Sequence, residues 1–124
     1  MLRVFVLGAI MLVASAVSTI AQDPVTVEPE HYKVEFENDQ VRVIRITYAP
    51  GEKSVMHEHP ASVVVFLTDA HVRFTLPDGK TEEVTAKAGT TEWAAGGQHQ
   101  PENLGVGPLE VILIELKEKP ATGQ

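Results

Sequence analysis

The chain contains no cysteine, and that absence bounds its chemistry first. Disulfides are excluded, so an exported domain of this sequence must be held by core packing alone. Thiolate is excluded as a metal ligand too, leaving imidazole and oxygen donors, a set that suits zinc, iron, manganese, nickel or copper. Nor is there a cysteine to carry a lipid anchor behind an export signal. Basic residues are scarce: 10 Lys plus Arg stand against 17 Asp plus Glu, a net charge of -7 over 124 residues. That balance argues against nucleic acid and against an anionic membrane surface, both of which select basic patches. Past the first twenty or so residues, no segment shows a sustained three-to-four-residue apolar period, so helix content should be very low. Internal repeats and low-complexity segments are missing as well.

What is there begins with a targeting segment. Arg3 precedes an apolar run over residues 4–17, and Thr19-Ile20-Ala21 supplies small residues for cleavage, so residues 1–21 read as a signal peptide cut near Ala21. An uncleaved anchor is the weaker reading, because a bilayer span needs about 20 apolar residues. The expectation is a periplasmic or secreted protein, free of the membrane after cleavage. The segment removed holds one basic and no acidic residue, so the remainder carries 9 Lys plus Arg against 17 Asp plus Glu, a net charge of -8. The 103 residues left suit one domain with one core. Residues 22–30, with Pro24 and Pro29, read as a lead-in along a sheet edge; 31–118 form the domain, and 119–124 a polar tail.

Within the domain, strand signals alternate with turn residues. Residues 32–36 alternate, 37–40 turn, and 41–48 are rich in β-branched side chains. Pro50-Gly51 suits a tight turn, because proline presets φ at the first central position and glycine accepts a positive φ at the second. Residues 62–68 are almost all apolar, as expected of a strand with little solvent on either face or with a partner copy over one of them. Asp69-Ala70 turns the chain. In residues 71–76, Val72, Phe74 and Leu76 share one face, which places His71 and Arg73 on the other. Pro77-Asp78-Gly79-Lys80 marks a hairpin, 81–86 return, 90–94 lead into a Gly96-Gly97 bend, and 110–116 close the fold. About eight short strands in this length predict an all-β sandwich or barrel.

The chemistry gathers on His57-Glu58-His59. Alternate residues of a strand project to one side with Cα atoms about 6 to 7 Å apart, so both imidazoles can reach one metal ion. Pro60 favours extended geometry at His59. His99, in a glycine-rich bend over 96–103, lies about where a returning strand of a small all-β domain would bring a third imidazole. Three histidines from two strands make a metal site; the alternative is a set of polar core residues.

These residues also carry a family resemblance. Gly51, His57, His59 and the hydrophobic strand after them resemble the first motif of the cupins, and residues 89–99 with Asn103 resemble the second, so the two motifs span 51–103. The customary first-motif glutamate falls on Val64 and the closing glycine on His71; the second-motif proline falls on Ala94. The resemblance implies a double-stranded β-helix, or jelly-roll, barrel. It also implies a divalent metal (iron, manganese, nickel or zinc) held by His57, His59 and His99 without a carboxylate ligand. Some three-histidine cupins oxidise thiols or diketones, so the enzymatic form implied is a metal-dependent, dioxygenase-like oxidoreductase acting on a small molecule. The alternative is a non-catalytic metal- or small-ligand-binding cupin.

Other candidates are weaker. His31 and His71 are expected to face solvent, as is Glu58, which lies between two inward histidines. Glu102 reads as a solvated loop carboxylate or an acid-base group beside His99. Gln98, Gln100 and Asn103 are candidates to orient His99, Asn103 more as the residue that holds the turn. Trp93 and Phe66 read as core or pocket wall, and Arg42, Arg45 and Arg73 as anchors for an anionic substrate or as solvated stems. No catalytic acid or base is assignable. The apolar run over 63–67 and open sheet edges suggest a homodimer.

Overall fold

The computed structural model describes residues 22–118, so the expected signal segment and the polar tail lie outside the described residues. Those residues form one helical turn and nine strands: α1 (Pro24–Val27), β1 (Tyr32–Glu37), β2 (Val41–Tyr48), β3 (His57–His59), β4 (Ser62–Phe66), β5 (Ala70–Thr75), β6 (Thr81–Ala86), β7 (Thr91–Ala94), β8 (Gly97–Asn103) and β9 (Leu109–Leu116). The Pro50-Gly51 turn forms as read: Gly51 takes φ 79, and the Glu52 N–H donates to the Ala49 carbonyl at 3.1 Å.

Three expectations need correction. Residues 97–103 are a strand, not a bend. Because β3 ends level with His99, Pro101 has only β5 as a regular strand neighbour, and its missing N–H disrupts little. Ala70 opens β5 instead of turning, and the bend falls at Leu67-Thr68. The lead-in meets the sheet edge only at Gln22, whose carbonyl accepts from the Glu58 N–H at 3.1 Å. It then coils into α1, because Asp23 caps the turn by accepting from the Val25 N–H at 3.1 Å and Pro24 occupies a first-turn position that needs no N–H.

The strands make two antiparallel sheets, one ordered β1-β2-β9-β4-β7 and the other β3-β8-β5-β6. Their facing sides hold the core: Ile44 and Ile46 from β2, Val111 and Leu113 from β9, Phe66 from β4 and Val72 from β5 are all buried. Burying each such side chain contributes about 1.5–3 kcal/mol. The opposite face of the five-stranded sheet is also apolar along one row. A bulge between Val34 and Phe36 turns Phe36 outward beside Val43, and the row continues through Ile114 and Val63 to Trp93, each residue directly across from the next.

One partly buried ion network ties α1 to the barrel. Asp23 receives Arg42 on both oxygens, at 2.8 and 2.9 Å, while Arg42 Nε donates to Glu115 at 2.7 Å. The Arg42 hydrogen bond outweighs partial burial and holds the Asp23 carboxyl below its ordinary 3.8. A carboxyl depressed in this way stabilises the fold above about pH 4, and the contribution disappears as pH falls through the folded-state value. Asp23 is 41% exposed, so solvent screening limits its ion pair. Asp23→Asn keeps the helix cap and loses the charge, whereas Asp23→Ala loses both. In urea denaturation at neutral pH the asparagine variant should lose up to about 1 kcal/mol and the alanine variant about 1 kcal/mol more. The difference between the asparagine variant and the parent should close below about pH 4.

Candidate metal centre

The pairing of β3 with β8 places His57 directly opposite His99, and His59 lies two residues along on the same face. The three ring centroids form a near-equilateral triangle with separations of 4.8, 4.9 and 5.3 Å. One nitrogen from each ring lies within 4.8 Å of the others, and among the described residues these three form the one group of histidines and carboxylates so placed. Nitrogens bound to one ion at about 2.1 Å in a tetrahedral or facial arrangement stand about 3.0 to 3.4 Å apart, so the triangle must tighten by about an ångström or more to close on a metal. His57 and His59 are buried and His99 is half-buried, stacked on Phe74 with centroids 4.8 Å apart.

Two of the rings are oriented by the groups behind them. His57 Nδ1 lies 3.0 Å from the Val55 carbonyl and 3.0 Å from Ser54 Oγ; the carbonyl can only accept, so Nδ1 carries the proton. His59 Nδ1 donates to Glu115 Oε2 at 2.7 Å. Both rings therefore turn their Nε2 lone pairs into the triangle, an arrangement in which the outer nitrogen sets tautomer and direction for the inner one. Burial first, then the neighbouring His59, holds the His57 imidazole down to about 4, and burial with His59 and His57 takes His99 down to about 3. Both rings are thus neutral near pH 7, the form that ligates metal. The unfolded chain takes up these protons near 6.5, so the fold loses stability as pH drops below that value.

Glu115, not singled out from the sequence, is 2% exposed and joins the site to the ion network, accepting from His59 on one oxygen and from Arg42 on the other. Burial raises its carboxyl pKa, and the two hydrogen bonds outweigh that and bring it below 4.5. Its signal was present: in β9 it shares strand parity with Val111 and Leu113, an acid on the core face. Tyr32 and Tyr48 were missed too. Tyr32 Oη lies 3.3 Å from His57 Nε2 and is hydrogen-bonded to Tyr48 Oη. Burial pushes both phenols well above the usual tyrosine range, so neither ionises near neutral pH. Ser54 belongs to no regular element, and no pattern marked it.

The remaining candidates separate cleanly. Glu58 faces solvent, and His71 is largely exposed beside Glu83 at 3.7 Å. His31 does not face solvent freely: it stacks on Tyr48 at 4.4 Å, with its Nε2 2.6 Å from Glu52 and its Nδ1 3.4 Å from Glu28. Glu102 lies on β8 with parity opposite to His99. Neither glutamine orients His99. Gln100 donates to the Ser54 carbonyl at 2.9 Å, and Asn103 fixes the next turn through the carbonyls of Tyr48 and Gly107 and the N–H of Gly105. Each of the three arginines is engaged by acids of the fold: Arg42 by Asp23 and Glu115, Arg45 by Glu35 and Glu110, and Arg73 by Glu83. Phe66 is core, and Trp93 is 62% exposed at the border of the adjoining cavity.

That cavity, about 370 Å³, lies between the two sheets with His59 and His99 in its wall. Most of the lining is apolar, and Val64, at the position of the customary glutamate, is part of it.

No sequence-family model matches the chain, and no curated protein matches it in sequence. Among solved structures it is similar to a cupin domain from Bordetella pertussis Tohama I, at 24% identity and TM-score 0.65, covering 70% of this chain and 92% of that one. It is also similar to a conserved protein with a double-stranded β-helix domain from Klebsiella pneumoniae, at 23% identity and TM-score 0.53, covering 71% and 84%. A third is the polyketide cyclase RemF from Streptomyces resistomycificus, at 19% identity and TM-score 0.52, covering 72% and 66%. These likenesses establish the fold: the chain has the double-stranded β-helix of the cupins, and its three clustered histidines fit the three-histidine variant of that fold.

Gly96 lets the two histidine strands approach. It takes φ 89, and a Cβ there would lie 2.8 Å from the Ala61 nitrogen and 3.0 Å from the His59 carbonyl oxygen, all backbone atoms that cannot swing away. Gly96→Ala should therefore cost at least about 2 kcal/mol by denaturant unfolding, combining left-handed strain with displaced backbone. Gly97→Ala, with open space around the added methyl, should cost less.

Proposed function

We propose that the protein binds a divalent metal through His57, His59 and His99 and holds a small molecule in the cavity beside it, with metal-dependent oxygenation as its catalytic form. The observation that carries this reading is the pair of outer hydrogen bonds, from His57 Nδ1 to the Val55 carbonyl and from His59 Nδ1 to Glu115, which aim two inner nitrogens at a third ring. A divalent metal held by neutral imidazoles supplies a Lewis acid with open coordination positions. Around it, Phe74 stacks His99 in place, Tyr32 remains a proton-bearing hydroxyl beside His57, and the apolar wall excludes water. Iron, manganese, nickel and zinc all suit the donor set.

Binding without turnover is the second reading. It is favoured by the two phenols, whose high pKa values deny the site a tyrosinate base near neutral pH. Export to the periplasm or beyond is part of the proposal and rests on Arg3, the apolar run over 4–17 and Ala21. A homodimer is proposed as well, through the outer row from Phe36 to Trp93. A second copy offers the same apolar row, and Arg45 on that face is already paired with Glu35 and Glu110, so two copies meet without an unpaired arginine.

Each of His57→Ala, His59→Ala and His99→Ala should remove most of the bound metal, measured by elemental analysis of purified protein, whereas His71→Ala should leave it in place. Glu115→Gln should weaken metal affinity about 10–100-fold. Undiminished metal in His99→Ala overturns the site. Iron, manganese, nickel and zinc forms should then be screened for oxygen uptake and for hydrolysis with thiol, diketone and phenolic substrates; turnover by none of them selects the non-catalytic reading. For the dimer, sedimentation at high micromolar concentration should show two copies in the parent and one in Val63→Lys, and a monomeric parent defeats the proposal.

A further inference from the structure

The cavity beside the histidines is one-sided in charge. No lysine or arginine lines it, and every arginine among the described residues is paired elsewhere. Its deep wall is hydrocarbon, built from Ile46, Phe66, Val72, Leu109, Val111 and Leu113. Its exposed part comes from β6, through Glu82, and from β7 running into β8, beginning at Glu92. These two glutamates sit on the free edge strands of the two sheets and border the same opening. Neither takes part in an ion pair among the described residues, although ten other carboxylates do. The opening therefore presents two carboxylates outside any ion pair, with no lysine or arginine in the lining, and the interior offers no counter-charge to an anion away from the histidines.

We propose that the site takes a molecule with three parts: an oxygen donor at the histidine end, a largely apolar body in the cavity, and an outer end that is uncharged or cationic. Molecules whose outer end is a carboxylate or phosphate bind more weakly. The inference rests on the metal reading for the donor end only; the selection at the outer end belongs to Glu82, Glu92 and the apolar wall. Buried apolar area carries the binding of the body, and the rim carboxylates act through Coulomb interactions that solvent weakens, so discrimination of about three- to tenfold is expected between oppositely charged outer ends.

The test uses one metal-binding head with three tails. Zinc content of the purified protein is measured first, and benzohydroxamic acid, 4-(aminomethyl)benzohydroxamic acid and 4-carboxybenzohydroxamic acid are then titrated by calorimetry into the zinc-loaded protein. The aminomethyl compound should bind about three- to tenfold more tightly than the carboxy compound, and the preference should shrink at higher salt. In Glu82→Gln/Glu92→Gln the ratio between the two should fall towards one. Both positions are exposed, so the double variant should fold, which its unfolding midpoint checks. Zinc that fails to bind overturns the metal reading. Zinc that binds while the carboxy compound matches or exceeds the aminomethyl one overturns the present inference alone, as does a charge preference that survives in the double variant.

Discussion

Glu115 is the point on which the site depends. A carboxylate buried to this degree would be costly alone, and it is kept ionised by two donors, Arg42 Nε and His59 Nδ1, each at 2.7 Å. The same two bonds serve different parts of the molecule. Through Arg42 the carboxylate reaches Asp23 and hence the cap of α1, fastening the chain's entry to the barrel; through His59 it sets which imidazole nitrogen faces the cavity. The cross-strand registers Arg42↔Glu115 and Glu115↔Ser62 put it in the middle of the five-stranded sheet, where neither neighbouring strand can shift by one residue without reversing the faces of both. Fold register and ligand orientation are thus settled by one side chain.

The second constraint is the closeness of β3 to the chain ahead of β8. Gly96 presses against the backbone of residues 59–61, and the three-residue pairing of β3 with β8 brings His57 level with His99. Such a short ladder has little stability of its own. It is supported from outside by Gln22 on Glu58, by Glu28 on the Val55 N–H at 2.8 Å, and by Gln100 on the Ser54 carbonyl. Those contacts come from the lead-in and from the outward face of β8, so residues that touch neither ligand nor core still determine the distance between two imidazoles.

Much of this architecture was legible because turn chemistry and parity are local. The proline-glycine pair at residues 50 and 51, the hairpin at 77–80 and the alternation in 71–76 each specify their geometry within a few residues, and the histidine spacing needed only the two-residue period of a strand. What was not legible depends on context. Residues 96–103, with two glycines and a proline, have the composition of a loop, and 97–103 become a strand because β5 pairs along one side while β3 reaches only as far as His99. His31 is polar and follows a loop, yet it stacks on Tyr48 between two carboxylates that lie 3 and 21 residues away. Glu115 and the Asp-Pro start of α1 did carry local signals, an acid on a core face and a cap followed by proline. The arginines misled because a strand arginine looks the same whether it faces ligand or a cross-strand acid.

The departure at Val64 makes sense beside Glu115. A carboxylate ligand in the pocket would offset metal charge directly and occupy a coordination position. Here the apolar Val64 lines the cavity instead, and the negative charge lies behind His59 as a hydrogen-bond acceptor. Were a metal bound, its charge would be partly offset through the imidazole, whose basicity rises when its outer N–H is bound to a carboxylate, and the site would offer no carboxylate ligand of its own at that position. The wall gains hydrocarbon surface at the same place. On the proposed reading, a centre arranged this way would favour a ligand whose own oxygen completes the coordination while its body lies against Val64, Phe66 and Val111, so that the metal end and the apolar wall would select the same molecule.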